Sequence, residues 1–326
     1  MKSFKTYKHF FMALAILSLP LAGGAYAFQL DEGAFGKLNI DGAVSGYYLY
    51  SNNVPPASNG SSTNGDKKNR YDISNALVNI SKPNGIVRFT IVAGAYAFPT
   101  VGETTAKTTQ SGYNTDLFSA LPIAYLEFDP NQSVSIKVGK LPTMIGYESA
   151  FTYQNIDIQR SILWGMQPVV SRGIRFTYTK GIFTGNLELN DGFYSEKKPA
   201  LEGSFSLAPN QNSSISFNFI YPDKNTKPNP TSTPANKQEY ELTGSYTLSK
   251  FTFAFDSMYV HVPTSTEGET ISNHAFGIAG YATYNINNSW SLNARAEYDE
   301  EGSSGTDIMG FGTGAHAYSI TITPEY

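Results

Sequence analysis

Cysteine is absent from all 326 residues, which excludes disulfide staples, a lipidated N-terminal cysteine, thiol catalysis and zinc-thiolate sites. An exported chain of this kind draws its stability from a large core or from closed backbone hydrogen bonding in a membrane. Charge is scarce too: Asp, Glu, Lys and Arg make up 15% of the chain, against about 25% in soluble domains. Hydropathy nevertheless falls on the polar side, because Asn, Ser, Thr, Gly and Tyr fill the gap. Tryptophan is rare at 2 residues, but 22 Tyr and 21 Phe bring aromatics to 14%, a composition suited to interfacial girdles. Beyond the N-terminus no stretch approaches the roughly 20 apolar residues of a membrane helix. A soluble, a peripheral and a strand-built membrane protein stay open at this point.

The N-terminus reads as a processing signal. Lys2, Lys5 and Lys8 form a positive region, residues 10–24 a short apolar core broken by Pro20, and Ala25-Tyr26-Ala27 a small-x-small cleavage triplet. The expectation is a signal peptide over 1–27 and one outer-membrane domain over 28–326, exported to the periplasm before insertion; a retained signal anchor is the alternative. Loss of the three lysines makes the formal net charge of −4 more negative still, which speaks against a nucleic-acid partner.

What recurs along the rest of the chain is period-two alternation. Leu201, Phe205 and Leu207 oppose Glu202, Ser204 and Ser206; Ile215, Phe217, Phe219 and Tyr221 oppose Ser216 and Asn218. Tyr240, Leu242, Tyr246 and Leu248 oppose Glu241, Thr243, Ser245 and Thr247, and Phe251, Phe253 and Phe255 oppose Thr252, Ala254 and Asp256. Trp290, Leu292, Ala294, Ala296 and Tyr298 oppose Ser291, Asn293, Arg295, Glu297 and Asp299. No charge falls on these apolar faces. Further strands are expected near 37–50, 70–80 with a bulge around Asn75, 86–98, 123–128, 133–140, 170–180, 182–190, 273–285 and 315–323, about 14 in all.

The connections alternate short and long without exception. Short ones carry turn residues, as in Lys180-Gly181, Ser249-Lys250 and Asn285-Ile286-Asn287-Asn288. Long ones, near 51–69, 99–122, 141–169, 191–200, 222–237, 263–272 and 300–314, are rich in Gly, Pro, Ser, Asn and Thr. That parity is the layout of outer-membrane barrels, with short periplasmic turns and long outer loops. A secreted β-sandwich also alternates, but its strands average about 5 or 6 residues, and several here run longer, as a tilted membrane crossing requires. The expected fold is all-β, a transmembrane antiparallel up-and-down β-barrel.

Catalytic and ligand-binding motifs are few. His261, His274 and His316 lie in separate strands or strand ends, away from hydrolase-type serine or carboxylate motifs, so an enzyme is not expected. Gly310-Phe311-Gly312-Thr313-Gly314 lacks a following helix and reads as a loop rather than a phosphate cradle. Asp299-Glu300-Glu301 with Asp307 lacks calcium-loop spacing and reads as a solvated loop face, with loose divalent binding as the alternative. No cofactor and no resident metal are expected.

The segment 141–175 is the richest. It runs Leu141-Pro142-Thr143-Met144-Ile145-Gly146-Tyr147-Glu148, then Asn155, Asp157, Arg160-Ser161, Trp164, Pro168 and Arg172-Gly173-Ile174-Arg175, with three of the six arginines. Gly139-Lys140, Gly146-Tyr147-Glu148, Asn155, Arg160-Ser161, Pro168 and Gly173-Ile174-Arg175 resemble the β-barrel porin type 2, or outer-membrane-protein-L-like, family. The resemblance extends through Tyr318-Ser319-Ile320-Thr321-Ile322-Thr323-Pro324. It implies an outer-membrane barrel and a porin role. Family members continue past the Thr-Pro segment into a final hairpin, 16 strands in full-length relatives, whereas this sequence stops at Tyr326; Tyr326 with Ile320 and Ile322 is a candidate insertion signal, although Pro324 and Glu325 read as a turn start.

The functional expectation is a passive diffusion channel for small hydrophilic solutes or ions; a non-conducting structural or adhesive barrel with binding loops is the rival. Expected partners are outer-membrane lipid and lipopolysaccharide, the permeating solutes, the barrel-insertion machinery and copies of the chain itself in a homo-oligomer. Alternation turns Arg88, Lys137, Arg175 and Arg295 inward with Glu127, Glu188, Glu202, Glu241, Asp256 and Glu297, a lumen of both signs. The 141–169 loop is expected to enter that lumen, with Glu148 and Asp157 held by wall arginines and Arg160 and Arg172 facing solute; a plain surface hairpin is the alternative. Protease added to whole cells is expected to nick residues 222–237 and to spare the 209–212 turn; the opposite pattern, read by mass spectrometry of released fragments, would invert the topology.

Overall fold

In a computed structural model, residues 28–31, 36–50, 69–103, 118–229 and 232–326 are described. The expected signal segment 1–27, most of the 51–69 connection and the middle of the 99–122 connection lie outside them. The strands are β1 (Phe28–Asp31), β2 (Lys37–Tyr50), β3 (Asn69–Lys82), β4 (Val87–Tyr96), β5 (Ile123–Asn131), β6 (Val134–Pro142), β7 (Val170–Lys180) and β8 (Phe183–Asn190). They continue as β9 (Ala200–Asn210), β10 (Ser213–Pro222), β11 (Gln238–Leu248), β12 (Phe251–Val262), β13 (Asn273–Asn285), β14 (Ser291–Glu301) and β15 (His316–Glu325). Spatial order equals sequence order, and each pairing is antiparallel. The fourteen strands expected from alternation are β2–β15. The four-residue β1 is additional, too short to leave a periodic signal.

Local chemistry explains the hairpins. Asn131, Asn210 and Asn287 each accept through Oδ1 from the backbone N–H two residues on, in Ser133, Asn212 and Ser289; this side-chain turn reverses the chain with few residues. Gly181 takes φ +60° in the β7–β8 turn, a conformation that costs glycine nothing. At the expected bulge, the pairing of β2 with β3 steps from Ser45↔Asn75 to Gly46↔Ile73. Ser74 is thereby left over, and both Ser74 and Asn75 are buried.

Alternation sorts the two faces as expected. Leu201, Leu207, Ile215, Phe217, Tyr240, Leu242, Phe253, Leu292 and Tyr298 are exposed, while Glu202, Asn218, Glu241, Asp256, Arg295 and Glu297 are buried. An apolar outer face and a polar inner one is the arrangement of a sheet in lipid, where every backbone group must be paired. The sheet curls until β3 and β15 share one strap of chain. Thr152 N–H donates to Asn75 Oδ1 on β3 at 2.9 Å, and Asp157 Oδ1 accepts from Thr323 on β15 at 2.5 Å. Five residues reach no more than roughly 18 Å.

Phe217 and Leu242 are register partners on the outer face, while Ser216 bonds inward to Ser206. Phe217→Arg or Leu242→Arg is therefore expected to cost about 2–4 kcal/mol and Ser216→Arg much less, measured as loss of the heat-resistant folded band on gels. Equal losses in all three variants would reject the assignment of faces.

Candidate functional site

The connection between β6 and β7, residues 143–169, is the place where the interior is organised. It holds a 3-10 turn at Thr152–Gln154 and a four-residue helix, α1 (Ile162–Gly165). It crosses the concave face of the sheet and docks on inward residues of six strands. Met144 N–H donates to Glu202 on β9 at 2.6 Å, Gly146 N–H to Glu241 on β11 at 3.0 Å, and Tyr147 N–H to Asp256 on β12 at 3.1 Å. Ile162 N–H donates to Glu297 on β14 at 2.8 Å. These four form a ladder in which wall carboxylates accept from loop amides, and Asn75 Oδ1 on β3 accepts likewise, while on β15 the Thr323 hydroxyl donates to the loop's Asp157; loop backbone buried in the lumen thus satisfies its donors. Gly146 is needed there: its φ is +100°, and a Cβ would collide with the Gln167 side-chain amide.

The loop's own polar residues shape it before it meets the wall. Asn155 accepts from Ser149 N–H at 2.7 Å and donates to the Ser149 and Phe151 carbonyls, closing a tight bend. Ser161 Oγ accepts from Trp164 N–H at 3.0 Å, an N-cap for α1. Glu148 accepts from both the N–H and the hydroxyl of Ser161. Arg295, fully buried on β14, reaches Glu148 at 2.6 Å, Asp157 at 3.5 Å and the Gln159 carbonyl at 2.9 Å. Burial pushes the Glu148 carboxyl above its usual range, against the pull of Arg295 and the Ser161 bonds.

Other sequence-singled residues fall elsewhere. Arg175 meets Glu188 at 2.5 Å and the Pro142 carbonyl at 2.6 Å, at the root of the loop. Arg88 meets Glu127 at 2.8 Å and Asp129 at 2.5 Å, and Lys137 meets Glu127 at 3.6 Å, forming a half-exposed group on β4–β6. Arg160 does not face solute, contrary to expectation. It is 1% exposed and donates to the Ala150 and Ser149 carbonyls and the Thr152 hydroxyl, between the Phe98 and Trp164 rings. Five donors on one planar fork can satisfy several carbonyls of a bent loop at once, so the guanidinium is drawn inward. Arg172, part-exposed, lies over the Tyr194 ring and pairs with Asp191 and Glu196, away from Arg160.

The expected acidic loop at 299–301 is also corrected. β14 runs on to Glu301, so Asp299 and Glu301 are buried inward while Glu300 turns outward to His316 at 3.5 Å. Among the described residues no group of three or more His, Asp or Glu is placed to hold a metal ion. Sequence reasoning missed Glu239, because the strand was started at Tyr240, whereas β11 starts at Gln238. The signal was present in the i, i+2 series Lys237, Glu239, Glu241. Lys237 donates to the Met166 carbonyl at 2.6 Å, and burial lowers its pKa against the pull of Glu239 and Glu103.

Comparison with known proteins agrees with this architecture. A family model described as "Putative beta-barrel porin-2, OmpL-like" matches residues 37–326. The outer-membrane expressed OmpT of Vibrio cholerae is 10% identical with a TM-score of 0.57, over 92% of this chain and 84% of that one. The trimer form of in-vitro folded Vibrio cholerae OmpT is 11% identical, with a TM-score of 0.55 over 87% and 81%. The outer membrane channel DcaP of Acinetobacter baumannii is 12% identical, with a TM-score of 0.50 over 83% and 80%. At such identities the likeness is one of fold. No curated protein matches the sequence.

Arg295→Ala would leave Glu148 and Asp157 buried without their guanidinium, and is expected to cost about 3–5 kcal/mol. The measurements are a lower temperature for loss of the folded band and new protease cleavage within 149–163. Unchanged values of both would show that the loop is held without Arg295.

Proposed function

The chain belongs to the β-barrel porin-2, OmpL-like family of outer-membrane barrels, and from that premise we propose that it is a passive diffusion channel for small hydrophilic solutes, narrowed by the 143–169 loop. The observation that carries this reading is the loop's docking on β3, β9, β11, β12, β14 and β15 from the inside. A segment so placed sets the narrowest cross-section and its charge, which together govern passage. On β7–β14 the inner wall near the short turns is hydroxyl-rich, with Thr177 bonded to Asn186, Thr247 to Thr252, Thr283 to Asn293 and Ser214 to Ser245. Such a surface wets readily and binds no solute strongly. The cations of β4–β7 (Arg88, Lys137, Arg175) are paired with Glu127, Asp129 and Glu188, whereas acids exceed cations on β9–β14, so charge is uneven around the constriction and a transverse field develops across it.

Export relies on the signal segment, and assembly into a homo-oligomer fits the same reading. Purified protein in planar bilayers is expected to give stepwise currents, and deletion of 149–163 to raise the step size. Absence of any current from correctly folded protein would replace the channel with the plugged, non-conducting barrel, which the apolar packing of Ile145, Ile162, Leu163 and Met166 against the β12–β13 wall favours.

A further inference from the structure

A cavity of about 130 Å³ lies between the inner loop and the ends of β4–β7 nearest to it. Its lining is mostly apolar and includes Phe98, Ile145, Phe151, Trp164, Val169 and Val170. Pro142 and Gln154, which line it too, are exposed, so the space is open to entry. The loop is held back from closing on it. Met144 and Gly146 N–H are tied to Glu202 and Glu241 on β9 and β11. Arg160 grips the carbonyls of Ser149 and Ala150 and lies against the Phe98 and Trp164 rings, 5.8 and 5.5 Å from their centroids. With the backbone fixed on both flanks, a gap in a close-packed interior persists as lost contacts. A preformed apolar pocket with a few polar groups at its edge is the form that a small-molecule site takes.

Size and lining define the guest. A cavity of about 150 Å³ walled by aliphatic and aromatic side chains takes up one benzene ring, so this one has room for a single ring with its substituents towards the open side. The Phe98 and Trp164 rings are 5.5 Å apart at 56°, and Tyr96 links Phe98 to Phe151 at 5.4 and 6.1 Å. These are tilted contacts in which ring edges meet ring faces, and a guest ring would extend the same pattern. Among the described residues no Lys, Arg or His lines the cavity, whereas Glu148 does, which disfavours an anionic ring. Glu148 is itself engaged by Arg295 and Ser161, so a cationic ring finds no free counter-charge. The exposed Gln154 carboxamide suits one hydroxyl substituent.

We infer that this cavity is a binding site for uncharged aromatic solutes of one ring, such as benzyl alcohol, and that it lies on the solute path beside the constriction. The second part rests on the channel reading above; binding does not. Trp290→Phe leaves Trp164 as the single tryptophan of the chain, and its emission reports on the site. 4-Nitrobenzyl alcohol, whose nitroarene quenches indole emission, is expected to quench Trp164 saturably and to be displaced by benzyl alcohol. 4-Nitrobenzoate, the same ring carrying a charge, should bind about tenfold more weakly. In the same background Ala150→Phe, or Val169→Phe should the first variant not fold, fills the cavity and should abolish saturable quenching. In planar bilayers 4-nitrobenzyl alcohol should lower the wild-type current reversibly and leave that of the filled variant unchanged.

Quenching that rises linearly with both nitro compounds, without saturation or displacement by benzyl alcohol, would overturn the site. So would saturable quenching that survives in a folded, filled variant. A wild-type current indifferent to 4-nitrobenzyl alcohol would take the site off the solute path. Saturable quenching in protein that passes no current would reject the channel and keep the site.

Discussion

The hydrogen bond from a loop amide to a wall carboxylate is the interaction on which the interior depends. A loop drawn inside a barrel carries N–H groups that neither helix nor sheet satisfies, and each one left unpaired would cost about 1–3 kcal/mol. Glu202, Glu241, Asp256 and Glu297 answer this at 2.6–3.1 Å with charged acceptors, the stronger class of hydrogen bond. The same device recurs outside the loop, where Glu301 accepts from Ile308 and Met309 N–H. The acids on the wall are therefore structural, and the oxygens they have to spare are buried with them.

The outer face obeys a different constraint. Lipid offers no hydrogen bonds, so the sheet pairs every strand with the next and turns its aromatic and aliphatic residues outward. Because side chains alternate strictly, one strand serves both environments, as in β11, where exposed Tyr240 and Leu242 alternate with buried Glu239 and Glu241. The charges inside cost little in lipid exposure, since none of them points outward.

Arg160 and Arg295 illustrate how far residue type alone misleads. Both are arginines in segments with nearby acids, yet one clamps the loop's own carbonyls and the other clamps the loop to the wall through Glu148 and Asp157. Arg160, expected to face solute, donates to the carbonyls of 149 and 150 and to the Thr152 hydroxyl. Arg295 finds Glu148 at a sequence separation of 147, and no local pattern encodes that meeting.

Strand number, face and turn positions were legible in the sequence, because period two, turn residues and the parity of connection lengths are local consequences of backbone geometry and of a solvent with no hydrogen bonds. So was the inward direction of Glu202, Glu241, Asp256, Arg295 and Glu297, and the family resemblance on the 141–175 segment. Only the tertiary structure decided which acid meets which amide, that Arg160 turns into the loop, and that Glu239 and Asp299 are buried with no hydrogen-bond partner among the described residues. Those outcomes depend on how a curled sheet brings strands far apart in sequence around one loop, and on which of several nearby acceptors a donor reaches first. Alternation assigns a side chain to the lumen; the path of the loop through that lumen assigns its partner.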